Sequence, residues 1–180
     1  MHFLGTVTTL RRARTAPVAM TCLLALGGAA APADAAGEPV KIAVFNFELE
    51  DATPAAALLD QSTSTASAMD KVSTAARGEL EQSGRYRVID ASKATAASGQ
   101  SLRDCEGCEA GLALQLGAEQ SLFGVVRRVT QTDYYVVIQI RDARTGKLVE
   151  QEEANFAGSE EGWPSGVRML IRHQVLAPRE

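Results

Sequence analysis

From Val40 to Phe47 the chain runs Val-Lys-Ile-Ala-Val-Phe-Asn-Phe, apolar and rich in β-branched and aromatic residues, which predicts a buried strand near the centre of a sheet. The stretch from Glu48 to Ser64 mixes acids with Ala, Ser, Thr and Pro54; it predicts a loop carrying a short helix around residues 54–59. Between Thr65 and Gln82, Met69, Val72, Ala76 and Leu80 recur at helical spacing on one face, and Gly84 supplies the stop. Arg85 to Asp90 reads as a short strand, making a strand, helix and strand in the order of a parallel crossover. Helical turns are expected around residues 91–97. A second helix over Cys108–Leu116 would bury Leu112 and Leu116, with Gly117 ending it.

Three strands follow, Ser121–Thr130, Tyr134–Asp142 and Lys147–Phe156. The middle one alternates Val136, Ile138 and Ile140 inward against Val137, Gln139 and Arg141. Short joints make them an antiparallel meander, and Gly146 takes the turn position that needs positive φ. Pro164 opens a last helix whose stripe is Val167, Leu170, Ile171 and Val175. The order β-α-β-α-β-β-β-α, with apolar helix stripes in need of a sheet to cover, predicts an α/β fold: a two-layer sandwich with a mixed sheet of about five strands and helices on one face.

Before all of this, Arg11, Arg12 and Arg14 precede an apolar stretch from Ala16 to Ala30, followed by the small-x-small site Ala33-Asp34-Ala35. The stretch is too short and too interrupted for a membrane anchor of about 20 apolar residues. Residues 1–35 are expected to be a cleaved signal peptide and residues 36–180 a single α/β domain, soluble in the periplasm and with no transmembrane span. Cys22 follows Ala19-Met20-Thr21, a poor lipobox, and Arg11-Arg12 lacks the usual twin-arginine continuation, so the general secretory route is favoured. Cleavage leaves 15 basic and 21 acidic side chains, a charge near −6, and no basic run, which argues against nucleic-acid binding.

An oxidising compartment turns attention to Cys105 and Cys108 in Asp-Cys-Glu-Gly-Cys-Glu. The first expectation is a structural disulfide, stabilising the fold by about 2 kcal/mol on the chain-entropy estimate. Thiol–disulfide exchange is the alternative, since this spacing at a helix start can stabilise a thiolate, but Asp104, Glu106 and Glu109 crowd the pair with negative charge. Zinc finds too few ligands, because only this pair and His173 remain after cleavage; no metal and no cofactor are expected. Glu48, Glu50 and Asp51 form an acidic loop that offers oxygen to a hard cation, or a small ligand, though in no EF-hand spacing. Catalysis finds no nucleophile–base set, no phosphate-binding glycine loop and no His-Glu-x-x-His, so no catalytic residue is assigned and the protein is expected not to be an enzyme. Trp163, at the mouth of the last helix, and Tyr134 and Tyr135 are candidate interaction residues, against the plainer reading in which they pack on the sheet.

Lys41 to Glu48, Ser83 to Asp90, Cys105-x-x-Cys108-Glu109-Ala110, Leu116-Gly117-Ala118, Asp142 to Lys147 and Gly162-Trp163 together resemble a family of small secreted proteobacterial proteins that carries only a domain-of-unknown-function name. The likeness spans nearly the whole mature chain. More distantly, the strand–helix–strand opening and the Asp-x-x-Thr-Gly hairpin are similar to the N-terminal domain of TolB and to curli-secretion and lipoprotein-activator domains of the envelope. The resemblance implies an accessory or adaptor protein that binds a periplasmic or outer-membrane-associated protein. It also implies a link to periplasmic quinoprotein alcohol oxidation, beside whose genes some relatives are found.

Overall fold

The apolar run at the start of the domain is two strands, not one. In the computed structural model, which describes residues 37–53, 63–94 and 101–178, β1 is Val40–Val44 and β2 is Glu48–Asp51. Both lie parallel to β4 (Gln120–Arg128), with Val44 opposite Leu122 but Glu48 opposite Val125. Four steps on one strand thus face three on the other, which is a one-residue bulge. Its consequence is a change of phase. Ile42 and Val44 join one core, and after the bulge Phe47 and Leu49 join that same core, whereas Ala43 and Phe45 pack on the other side of the sheet. The first part of the expected acidic loop is therefore strand, and its expected helix at residues 54–59 falls outside the described residues.

Helix α1, Thr63–Gln82, buries Met69, Val72, Ala76 and Leu80 as its spacing predicts, and Gly84 follows with φ +68. It also grips the bulge. The buried Ser73 hydroxyl accepts the Phe47 N–H at 3.0 Å and donates to the Met69 carbonyl at 2.9 Å, while Arg77 Nη2 donates to Asn46 Oδ1 at 2.6 Å and lies 3.2 Å from Asp90 at the end of β3 (Tyr86–Asp90). A bulge leaves backbone groups without ladder partners; the Ser73 hydroxyl supplies one for the Phe47 N–H, and Arg77 holds the Asn46 side chain.

Residues 92–94 are helical, and the remainder of the turn expected there lies outside the described residues. A single 3-10 turn, Leu102–Asp104, leads to α2, Cys108–Gln115. β4, β5 (Asp133–Asp142) and β6 (Leu148–Ala157) form the expected antiparallel meander. At its second joint Gly146 has φ +70, and the Asp142 carboxylate accepts the Thr145 amide at 2.7 Å. Helix α3, Trp163–Leu170, continues as a π turn over Ile171–Val175 and buries Val167, Leu170, Ile171 and Val175.

The sheet is mixed, as expected, with order β3-β1-β4-β5-β6 and β2 beside β4, six strands because the first run is broken. α1 and α3 cover one face and enclose the main core. A smaller cluster on the reverse face joins Ala43, Phe45 and Phe123 to Leu102, Ala113 and Ala118. The predicted burial of Leu116 is not met: it is 39% exposed, and Leu112 is only partly buried against the cluster. Instead α2 turns Glu109, Ala110 and Ala113 inward, because small side chains let this eight-residue helix approach β4 closely. Towards β5 and β6 the reverse face stays open, with Val125, Tyr135, Val137 and Gln139 half-buried.

Candidate functional site

Trp163 and Tyr134 belong to the core. They are 2% and 3% exposed, their ring centroids stand 6.0 Å apart, and Tyr134 stacks on Phe156 at 5.5 Å. The Tyr134 hydroxyl donates to the Gly162 carbonyl at 3.2 Å, and burial pushes its pKa above the ordinary tyrosine value. Gly166 leaves the room: a methyl group there would overlap the Tyr134 hydroxyl. The Arg128 guanidinium sits 5.1 Å from the Trp163 ring and pairs with Asp51 at 3.1 Å and with Glu160. Neither aromatic side chain is thus offered to a partner; of the three candidates only Tyr135 reaches solvent, on the open reverse face beside Glu153.

The acidic group is likewise engaged. Glu48 accepts the Leu102 amide at 2.7 Å and the Ser101 hydroxyl, Glu50 pairs with Arg127 at 2.9 Å, and Asp51 pairs with Arg128 and accepts from Thr53 at 2.7 Å. Burial opposes the Asp51 charge, but the Thr53 hydroxyl and amide and the Arg128 guanidinium outweigh it and hold the carboxyl below its usual range. These carboxylates tie β2 to its surroundings, and a cation would have to displace those partners. His173 is exposed near the last turn of the described chain.

Cys105 and Cys108 form a close pair, their Cα atoms 5.6 Å apart, a separation suited to a disulfide. Between them Glu106 takes φ +41 and Gly107 φ +105, a turn that places Cys108 as the first residue of α2. Directly after it comes a residue the sequence did not single out. Glu109 is 2% exposed, its Oε1 accepts from Arg141 Nε at 2.9 Å, and its Oε2 has no hydrogen-bond partner. Arg141 in turn donates to the Gly146 carbonyl at 3.2 Å, so the cysteine loop is clamped to the β5–β6 hairpin. No local signal links positions 109 and 141; only the sheet register turns Arg141 towards the reverse face. Cys105, Cys108 and Glu109 also bring their ligand atoms within 4.8 Å of one another, the one such group of His, Cys, Asp and Glu among the described residues.

The architecture is that of an α/β sandwich with one covered and one partly open sheet face, and with its buried ion pair at the edge of the opening. Residues 40–175 match the family described as a protein of unknown function (DUF2380), and the chain belongs to that family. Comparison with curated proteins finds no match. Among solved structures it is similar to lipoprotein GNA1162 from Neisseria meningitidis, with TM-score 0.51 and 16% identity over 79% of this chain and 100% of that one. A PelC dodecamer from Paraburkholderia phytofirmans gives TM-score 0.49 and 19% identity over 79% and 91% of the two chains. TolB from Acinetobacter baumannii gives 0.43 and 16% over 76% of this chain and 28% of that one. At these identities the likeness is one of fold. Among the described residues no helix is long and apolar enough to cross a membrane.

Proposed function

We propose that this is a non-catalytic accessory protein of the bacterial envelope, exported by residues 1–35, whose domain over residues 36–180 binds another envelope protein. The observation that carries the reading is the open side of the sheet. β6 is a strand of ten residues at the edge of the sheet, with β5 as its one neighbour among the described strands and with Leu148 47% and Val149 43% exposed. Beside it the reverse face presents Val125, Tyr135 and Val137, half-buried and flanked by polar side chains. An extended segment of a partner can add to such an edge, taking main-chain hydrogen bonds for affinity and side-chain contacts for specificity. Glu152 and Glu153 on β6 guard the edge against pairing with a second copy, as edge charges do, and leave it open to a segment of opposite charge. On this reading Cys105–Cys108 is a structural disulfide that holds the loop clamped by Arg141. The partner is periplasmic or outer-membrane-associated, and the family resemblance favours one tied to quinoprotein alcohol oxidation.

Crosslinking the tagged protein in the periplasm of its host, then mass spectrometry without reductant, tests the reading. One stoichiometric partner, joined through contacts other than cysteine and lost on Glu152→Lys/Glu153→Lys, is the expected result. A second reading, thiol–disulfide exchange, draws on the place of Cys108 at the first residue of α2, where a thiolate is favoured. Mixed disulfides through Cys105 or Cys108 with several proteins would put it in place of the first.

A further inference from the structure

Cys105, Cys108 and Glu109 meet at the start of α2, each with a ligand atom within 4.8 Å of the others. The spacing of the cysteines alone leaves zinc short of ligands, and the fold adds a carboxylate that the sequence does not mark. Glu109 is 2% exposed, and its Oε2 has no hydrogen-bond partner. A buried acceptor with charge and no donor costs stability, and a cation beside it removes that cost. Nothing in solvent has to touch this oxygen first. Cys105 and Cys108 are only partly buried against the reverse-face cluster, so an ion comes in past the sulfurs and meets the carboxylate inside.

As a disulfide the two sulfurs offer little to a metal. As thiols, the state that precedes closure by an oxidant, they lose their protons on coordination and become strong ligands. Cys108 is the first residue of α2, where the amide end of the helix favours negative charge on sulfur. A Cα separation of 5.6 Å across two intervening residues suits chelation of one ion as well as it suits a disulfide. Charge then selects the ion. Two thiolates and the Glu109 carboxylate carry three negative charges, the Arg141 guanidinium answers one through Oε1 at 2.9 Å, and a divalent ion balances the other two. Arg141 also holds the carboxylate in place, as partners of metal ligands do. Thiolate sulfur disfavours magnesium and calcium, which take oxygen, and a monovalent copper ion would leave one buried charge unbalanced. We propose that the dithiol form of this loop is a zinc site, with Cys105 Sγ, Cys108 Sγ and Glu109 Oε2 as ligands and water in the fourth position. The ion and the disulfide exclude each other, and the β6 edge is no part of the site.

The test starts from the purified exported protein, reduced with a water-soluble phosphine, which becomes the phosphine oxide with oxygen from water as the disulfide becomes two thiols. Zinc is titrated in competition with a chromophoric chelator, and zinc K-edge X-ray absorption reads the ligand set. The expected result is one ion per chain, with two sulfurs at about 2.3 Å and the remaining ligands oxygen at about 2.0–2.2 Å. The oxidised protein should bind at least about a hundred-fold more weakly. Glu109→Gln and Arg141→Met break the same ion pair, but only the first removes a ligand. Glu109→Gln should therefore weaken binding by about ten-fold or more, and Arg141→Met should not weaken it. The absorption spectrum needs only the wild-type chain, so it decides the ligand set even where Glu109→Gln fails to fold. Zinc held equally by the oxidised protein would be an adventitious ion only, on surface carboxylates, and would overturn the proposal. So would four sulfurs shared between two chains, an equal loss in the two variants, or no saturable binding.

Discussion

Replacing Gly124 by alanine should destabilise the protein, and the cause should be one ring. Gly124 lies in the middle of β4 opposite Ile138, and a methyl group on it would overlap the Phe47 ring, which is 4% exposed beneath α1. Taken alone, glycine in a strand interior is worse than alanine by roughly 0.5–1 kcal/mol, so an unhindered substitution would stabilise. Overpacking a filled core costs about 1–3 kcal/mol, and because the overlap runs along a rigid ring the upper half of that range applies. The net expectation is a loss of roughly 1–2 kcal/mol, or a fall of several degrees in the thermal midpoint of a domain this size. Phe47→Leu removes the ring edge and by itself costs about 1–2 kcal/mol, as core truncations do. In that background Gly124→Ala should become neutral or stabilising. Urea unfolding followed by Trp163 fluorescence and far-UV circular dichroism gives the four corners of the cycle, and a coupling of at least about 1 kcal/mol is expected. If Gly124→Ala stabilises the wild type, or costs the same in both backgrounds, the ring is not what excludes a side chain there.

Ser73→Ala leaves the buried Phe47 N–H without its acceptor and should cost about 1–2 kcal/mol in the same unfolding assay, more than its gain in helix propensity returns. Cys105→Ser/Cys108→Ser should lower stability by about 2 kcal/mol in urea while partner capture persists; loss of capture from a still-folded variant would point to chemistry at the pair. The Asp51 carboxyl titrates lower in the folded protein than in the unfolded chain, so its contribution is complete above about pH 4 and fades as the pH falls through the folded value. Asp51→Asn should flatten the acid side of the stability profile, and an unchanged slope between pH 5 and the onset of acid unfolding would remove Asp51 from the account.

Where one side of an element faces water, the sequence was a good guide. The alternation of Val136, Ile138 and Ile140 and the stripes of α1 and α3 are all buried as their period requires, because solvent on the opposite side keeps polar residues there. β1 has no such contrast. Ile42 and Val44 are buried on one side, Ala43 and Phe45 on the other, and a strand buried on both faces carries no visible period from which an inserted residue could be noticed. Trp163 was ambiguous for a different reason: its burial depends on Gly166 and Tyr134, and the latter is 29 residues away on β5. The cysteine spacing was legible as a pair, but the partner of Glu109 lies 32 residues further on, where nothing in Ile-Arg-Asp sets Arg141 apart from a solvated strand residue.

The bulge also explains why an acidic segment can follow directly on a central strand. Side chains alternate along a strand, so if Asn46 were paired in a regular ladder rather than taken up by the bulge, Glu48 and Glu50 would share the side of Ile42 and Val44 and point beneath α1. Burying two carboxylates there, with Phe47 and Leu49 turned away, would cost far more than the domain's net stability can absorb. With Asn46 taken up by the bulge the phase reverses: Phe47 and Leu49 take the core positions, and Glu48 and Glu50 face the reverse side, where the Leu102 amide and Arg127 meet them. The same shift puts Glu50 on the reverse face, where it lines a groove with Phe123 and Val125. The bulge at Asn46, held by Ser73 and Arg77 of α1, thus keeps the acidic residues of β2 off the apolar core and on the open reverse face.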